Sequence, residues 1–174
     1  MPLLSKEQKD QELEDIRNFL DELEFETVIL PKGPWADQDG LLVELPTDEE
    51  VDWDGDDLPE NARIAAAYLM QLDEESEDQL TKYLMFYFMI QTPLDHVDEL
   101  KVLRLVNDMN HQIRMGSFFY GESQGVNGSG MHIQYRLAIG ASTDDWFDEG
   151  LVGEAIIEMG LYYDIMEQEI QKLL

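Results

Sequence analysis

Between Thr81 and Gln91 the chain reads Thr-Lys-Tyr-Leu-Met-Phe-Tyr-Phe-Met-Ile-Gln, and from Tyr83 to Ile90 every residue is aromatic or aliphatic. A run this short, rich in Phe and Tyr and bounded by polar segments, reads as a strand. It is far below the ~20 residues that a membrane-spanning helix needs. Because successive side chains of a strand alternate sides, Leu84, Phe86, Phe88 and Ile90 share one face while Tyr83, Met85, Tyr87 and Met89 share the other. Neither face is polar. The chain must therefore supply neighbouring strands and a helical cover for at least one side.

The remaining elements follow from periodicity and punctuation. Ser5 with Gln8 forms a capping box, and Leu13, Ile16, Phe19, Leu20 and Leu23 then recur at helical spacing, predicting a helix over Lys6 to about Glu24. Thr27–Leu30 and Leu41–Leu45 read as extended, separated by Pro31-Lys-Gly-Pro34 and Asp37-Gln-Asp-Gly40. Asn61–Leu72 is ambiguous: Ala65-Ala-Ala67 favours helix, whereas Ile64 and Tyr68 favour a strand paired with Thr81–Gln91 across the acidic turn Asp73–Asp78. Thr92-Pro93 predicts the start of a second helix running to about Asn110. Two alternating stretches, Ile113–Tyr120 and Met131–Ile139, predict an antiparallel pair with a nine-residue connection, Glu122–Gly130. A long final helix opens at Thr143 or Asp144 and carries Val152, Ile156, Met159, Tyr163, Met166 and Ile170. No repeat and no interdomain linker interrupts this order, so residues 1–174 read as one domain. An acidic loop at about 47–60 is expected within it.

Charge decides which functions this fold can serve. Thirty-nine acidic residues against eleven basic ones give a formal charge of −28, while 44% of the residues are apolar, enough for a packed core. Such a surface repels nucleic acid and anionic lipid and attracts basic or partly unfolded polypeptides. The absence of cysteine removes disulfides, thiolate metal ligands and a cysteine nucleophile from consideration and fits a reducing compartment. With no apolar signal core near Met1, the expectation is a cytoplasmic protein.

Chemistry-bearing motifs are few. His96, His111 and His132 show no zinc-ligand spacing, no G-x-S-x-G elbow holds Ser117, Ser123, Ser129 or Ser142, and Gly125, Gly128 and Gly130 match no phosphate-binding fingerprint. Asp52-Trp-Asp-Gly-Asp-Asp57 resembles a calcium loop, but Gly55 arrives at its fourth place where an EF-hand needs glycine at the sixth. Asp52, Asp54, Asp56 and Asp57 are weak divalent-ion candidates at most. No enzyme, metal or cofactor is expected. The Tyr/Met face is the more informative feature: Tyr83, Met85, Tyr87 and Met89, joined by Phe118, Tyr120, His132 and Arg136 from the hairpin, are the candidate partner-binding or dimerisation surface. The competing reading is a sheet buried on both faces.

Helix Leu103-Arg-Leu-Val-Asn-Asp-Met-Asn110, followed by Gly116-Ser-Phe-Phe and the strand Ile133-Gln-Tyr-Arg-Leu, resembles the YbjN family and, more distantly, the type III secretion chaperone fold. The resemblance spans roughly the last hundred residues and departs at the acidic insert Asp48–Glu60. It implies a small, acidic, often homodimeric, non-enzymatic protein that binds other proteins, as a chaperone-like adaptor or regulator. The fold expected is α+β, order α-β-β-β-α-β-β-α, with a mainly antiparallel sheet of about five strands packed against helices. Two alternative functions fit the charge: a nucleic-acid mimic that inhibits a DNA-handling protein, or a weak divalent-ion-binding regulator.

Overall fold

A computed structural model describes residues 4–33, 38–46, 63–71, 81–125 and 128–174. The elements are α1 (Lys6–Glu22), β1 (Thr27–Leu30), β2 (Gly40–Glu44), β3 (Ile64–Met70), β4 (Thr81–Met89), α2 (Glu99–Gln112), β5 (Ser117–Gly125), β6 (Gly128–Ser142) and α3 (Glu149–Gln171). The architecture is α+β. Among the described residues six strands form one sheet in the order β1-β2-β3-β4-β6-β5, antiparallel at every pairing. Four strands precede α2 where three were expected, because the ambiguous segment is strand β3. Its alternate residues Ala65, Ala67 and Leu69 are buried in the core, a period of two that a helix could not present.

All three described helices cover one face. Phe88 of β4 stacks on Tyr135 of β6 at 4.6 Å and lies 5.3 Å from the Tyr163 ring of α3. Leu13, Ile16 and Leu20 of α1, Val102 and Met109 of α2, and Ile156 and Met166 of α3 join the same core. Helix α3 lies between the other two. Its Gly153 faces Leu23 just beyond α1, and its Tyr162 hydroxyl accepts from the Arg114 N–H just beyond α2. Three ion pairs, made by two basic side chains, fasten helices to strands on this covered side. Lys82 of β4 reaches Glu12 of α1 at 2.8 Å, and Arg63 beside β3 engages both Asp164 and Glu167 of α3. None of the described helices is long and apolar enough to cross a membrane.

Three boundaries differ from expectation, each for a local reason. Helix α2 starts after Asp98, whose carboxylate accepts from the Leu100 and Lys101 N–H groups, and not at Thr92-Pro93. There the chain is not helical: Leu94 is buried in the core and its N–H donates to the Met131 carbonyl. Helix α3 likewise starts after Asp148, capped by its side chain, and not at Thr143. The β5–β6 connection is two residues and not nine, because Gly125 and Gly128 already pair. The expected acidic loop at 47–60, the turn at 73–78 and the ion candidates Asp52, Asp54, Asp56 and Asp57 lie outside the described residues.

Candidate functional site: the open face of the sheet

The sheet's other face carries no helix among the described elements. Alternation places Tyr83, Met85, Tyr87 and Met89 of β4 on it, opposite Tyr68 and Met70 of β3 and Arg136 and Ala138 of β6. Six strands at ~4.8 Å spacing and ~20 Å of strand length give this face an extent on the order of 500 Å². Within that extent Tyr68, Met70, Tyr83, Tyr87 and Met89 are half-buried, and contiguous apolar patches on a monomer are often functional. On the described strands only two charged side chains, Glu44 and Arg136, belong to it, with Glu26 opposite Glu44 just before β1, in a chain whose net charge is −28.

Its local packing is flat. A Cβ added at Gly40 would lie 2.5 Å from the Tyr68 ring, and one at Gly140 would lie 3.3 Å from the Tyr83 ring, so each phenol rests across a glycine of the neighbouring strand. Tyr68 and Tyr87 meet edge to face at 6.4 Å. Met85, ringed by these groups, is 9% exposed, yet it stands apart from the helix-side core. At the β5 side the Ser123 hydroxyl donates to the Met89 sulfur at 3.0 Å, and the Arg136 guanidinium sits 6.0 Å from the Phe119 ring. Burial, then the neighbouring Tyr87, raises the Tyr68 phenol above its ordinary range. Tyrosine and methionine of this kind suit an interface: tyrosine offers large area with a polar tip, and methionine repacks against varied shapes.

Of the eight candidates, β4 brings Tyr83, Met85, Tyr87 and Met89 together, and Arg136 joins them opposite Tyr87. The other three are corrected. Phe118 pairs with Tyr135 and Tyr120 with Ile133, so both aromatic side chains point to the helix-covered side; Phe118 is 3% exposed. The nine-residue connection pairs Gly121 with Met131, whereas the two-residue one pairs Gly121 with His132. A one-residue slip exchanges the faces of every side chain. Phe119, 36% exposed, therefore belongs to the open face instead. His132 has the parity of that face but is 3% exposed, with Nδ1 3.0 Å from the Gly130 carbonyl oxygen. The chain entering Leu94 runs beside β6 at this point, with Ile90 N–H donating to Ile133 and Leu94 N–H to Met131.

Glu44 is the carboxylate that the described strands place on this face, with Glu26 opposite it. Burial first, and then the charge of Glu26, raises its pKa above the ordinary value. A carboxyl raised in the folded state disfavours folding once it ionises, so its penalty is absent at acid pH and grows as pH rises through the raised value. Glu44→Gln is expected to raise the melting temperature at pH 7, with the gain vanishing below pH 4. Paired thermal melts across that range check the sign. Among the described residues no three His, Asp or Glu side chains converge as a metal site requires. No protein-family model, curated protein or solved structure matches this chain.

Proposed function

We propose that this protein is a non-enzymatic, cytoplasmic binding module that engages cationic polypeptides through the open face of its sheet, in the manner of a chaperone-like adaptor. The observation that carries the reading is the contrast between an aromatic, nearly uncharged face and a chain of net charge −28. Carboxylates placed elsewhere accelerate encounter with a basic partner, while the Tyr/Met surface holds it once docked. The resemblance to YbjN proteins supports the same class of function. The anionic surface also weighs against the homodimer that this resemblance implies, since stacking two copies through the face brings two chains of −28 together.

The test uses a reduced, alkylated basic protein as the probe, titrated into the folded chain and into a Met85→Lys/Tyr87→Lys variant. Tyr87 is half-buried and Met85 lies outside the helix-side core, on a face that no described helix covers, so circular dichroism should be unchanged. Binding is expected in the micromolar range, weakening with salt, and at least a hundredfold weaker in the variant. Undiminished binding by the folded variant would overturn the assignment of the face. Self-association that strengthens with salt, without probe binding, would make a second copy the occupant.

A further inference from the structure

The two edges of the sheet are unlike. Strand β1 has four residues and runs into Pro31, which shortens and blunts that edge. Strand β5 has nine. Its outward-pointing main-chain groups are identified by one side chain: Asn110, near the end of α2, accepts from the Phe118 N–H through Oδ1 at 2.7 Å and donates from Nδ2 to the Phe118 carbonyl at 3.0 Å. The amide thus makes both bonds that a residue of a neighbouring strand would make. In an antiparallel ladder the outward groups recur every second residue, so those of Tyr120, Glu122 and Gln124 face the same way as those of Phe118. Helix α2 ends at Gln112, and among the described residues nothing hydrogen-bonds the outward groups of Tyr120 and Glu122.

Carboxylates gather on the helix side of this edge, while on the open side Arg136 stands 6.0 Å from the Phe119 ring. The Tyr120 phenol is raised by burial and then by the Glu99 and Asp95 carboxylates near it. Glu122, exposed, accepts from the Ser129 hydroxyl at 3.1 Å. On the other side of the strand stands the exposed ring of Phe119. An incoming strand would therefore meet carboxylates on its helix side and an aromatic surface on its open side.

We infer that the β5 edge from Tyr120 to Gln124 accepts an extended cationic polypeptide segment, which adds to the sheet as a seventh strand. The inference rests on the protein-binding reading above and names its mode. Main-chain hydrogen bonds supply the affinity, and alternation supplies the pattern: basic side chains toward Asp95, Glu99 and Glu122, apolar ones continuing the open face past Phe119. A second copy is disfavoured as the occupant, because two β5 edges side by side set these carboxylates against one another.

The probe is an octapeptide of four Lys-Val repeats, with two controls: Glu-Val repeats, and the Lys-Val peptide N-methylated at alternate residues so that it cannot pair. The protein variant is Glu122→Pro, which removes an outward N–H without touching the β5–β6 ladder. The Lys-Val peptide is expected to bind, with at least a tenfold loss in Glu122→Pro, a similar loss for the methylated peptide, and slowed exchange of the Tyr120 and Glu122 amide protons on saturation. Equal binding by the Glu-Val peptide would overturn the cationic preference. Binding that survives Glu122→Pro but fails in Met85→Lys/Tyr87→Lys would overturn the edge and leave the face intact. Should Glu122→Pro not fold, unchanged Tyr120 and Glu122 exchange in the saturated wild type overturns the edge by itself. Self-association abolished by Glu122→Pro, with no peptide bound, would assign the edge to a second copy.

Discussion

Glu12→Ala is expected to cost about 3–5 kcal/mol of folding stability, a large share of the ~5–15 kcal/mol available to a domain of this kind. Lys82 is the reason. Its side chain is 2% exposed, placed among apolar residues on the covered face of β4, and its Nζ lies 2.8 Å from Glu12 Oε1 and 5.3 Å from the Phe147 ring. Removing the carboxylate strands an ammonium where water cannot reach it, and a ring quadrupole compensates only part of that loss. The reverse change, Lys82→Met, should cost less, because Glu12 keeps 16% exposure and can turn toward solvent. Replacing both, as Glu12→Leu with Lys82→Met, should restore stability to within about 1 kcal/mol of wild type or improve on it, since a desolvated pair gains little over a packed apolar one. Urea denaturation of the three variants checks the order. A Glu12→Ala cost below that of Lys82→Met would mean that the ammonium finds another partner and that the pair does not anchor α1.

The same pair shows where sequence reasoning stops. Lys82 opens the most apolar run of the chain, and nothing in its neighbours signals a partner seventy residues earlier. Local chemistry was legible: Ser5 and Gln8 do form the reciprocal cap, with Gln8 N–H donating to Ser5 Oγ and Ser5 N–H to Gln8 Oε1. The two faces of β4 were legible as well, because alternation is intrinsic to a strand. The β3–β4 and β5–β6 pairings were legible too, but the register of the second was not. Phe118 and Phe119 are adjacent and chemically identical, so only the length of the β5–β6 connection decides which faces the helices, and the glycines at 121, 125, 128 and 130 permit several lengths. Pro93 after Thr92 carries a helix-start signal, but burial of Leu94 and its bond to β6 outweigh it. The role of Asn110 was invisible for a further reason: an asparagine near a helix end reads as a local cap, not as a plug for a strand edge.

Gly116→Ala is the substitution expected to disturb the hairpin most, at about 2–4 kcal/mol. Gly116 sits just before β5 with φ +67°, a left-handed conformation that a side chain disfavours. An added Cβ would lie 2.4 Å from the Tyr135 hydroxyl and 2.6 Å from the Arg136 carbonyl oxygen, and the second is main chain held in the sheet. Tyr135 reports the outcome. Its hydroxyl donates to the Met115 carbonyl at 2.8 Å and its ring stacks on Phe88, and burial drives its phenol far above the ordinary tyrosine range. Relief of the clash requires the phenol or β5 to move, so alkaline titration of Gly116→Ala should show one tyrosine returning toward the ordinary range. Because the register that begins at this glycine puts Phe119 and Arg136 on the open face and leaves the Tyr120 edge unpaired, binding of the Lys-Val peptide should weaken in parallel. A stability loss with unchanged binding and an unchanged tyrosine titration would instead mean that the hairpin keeps its register without Gly116, and that the pairing from Gly125 and Gly128 inward is sufficient to define both surfaces.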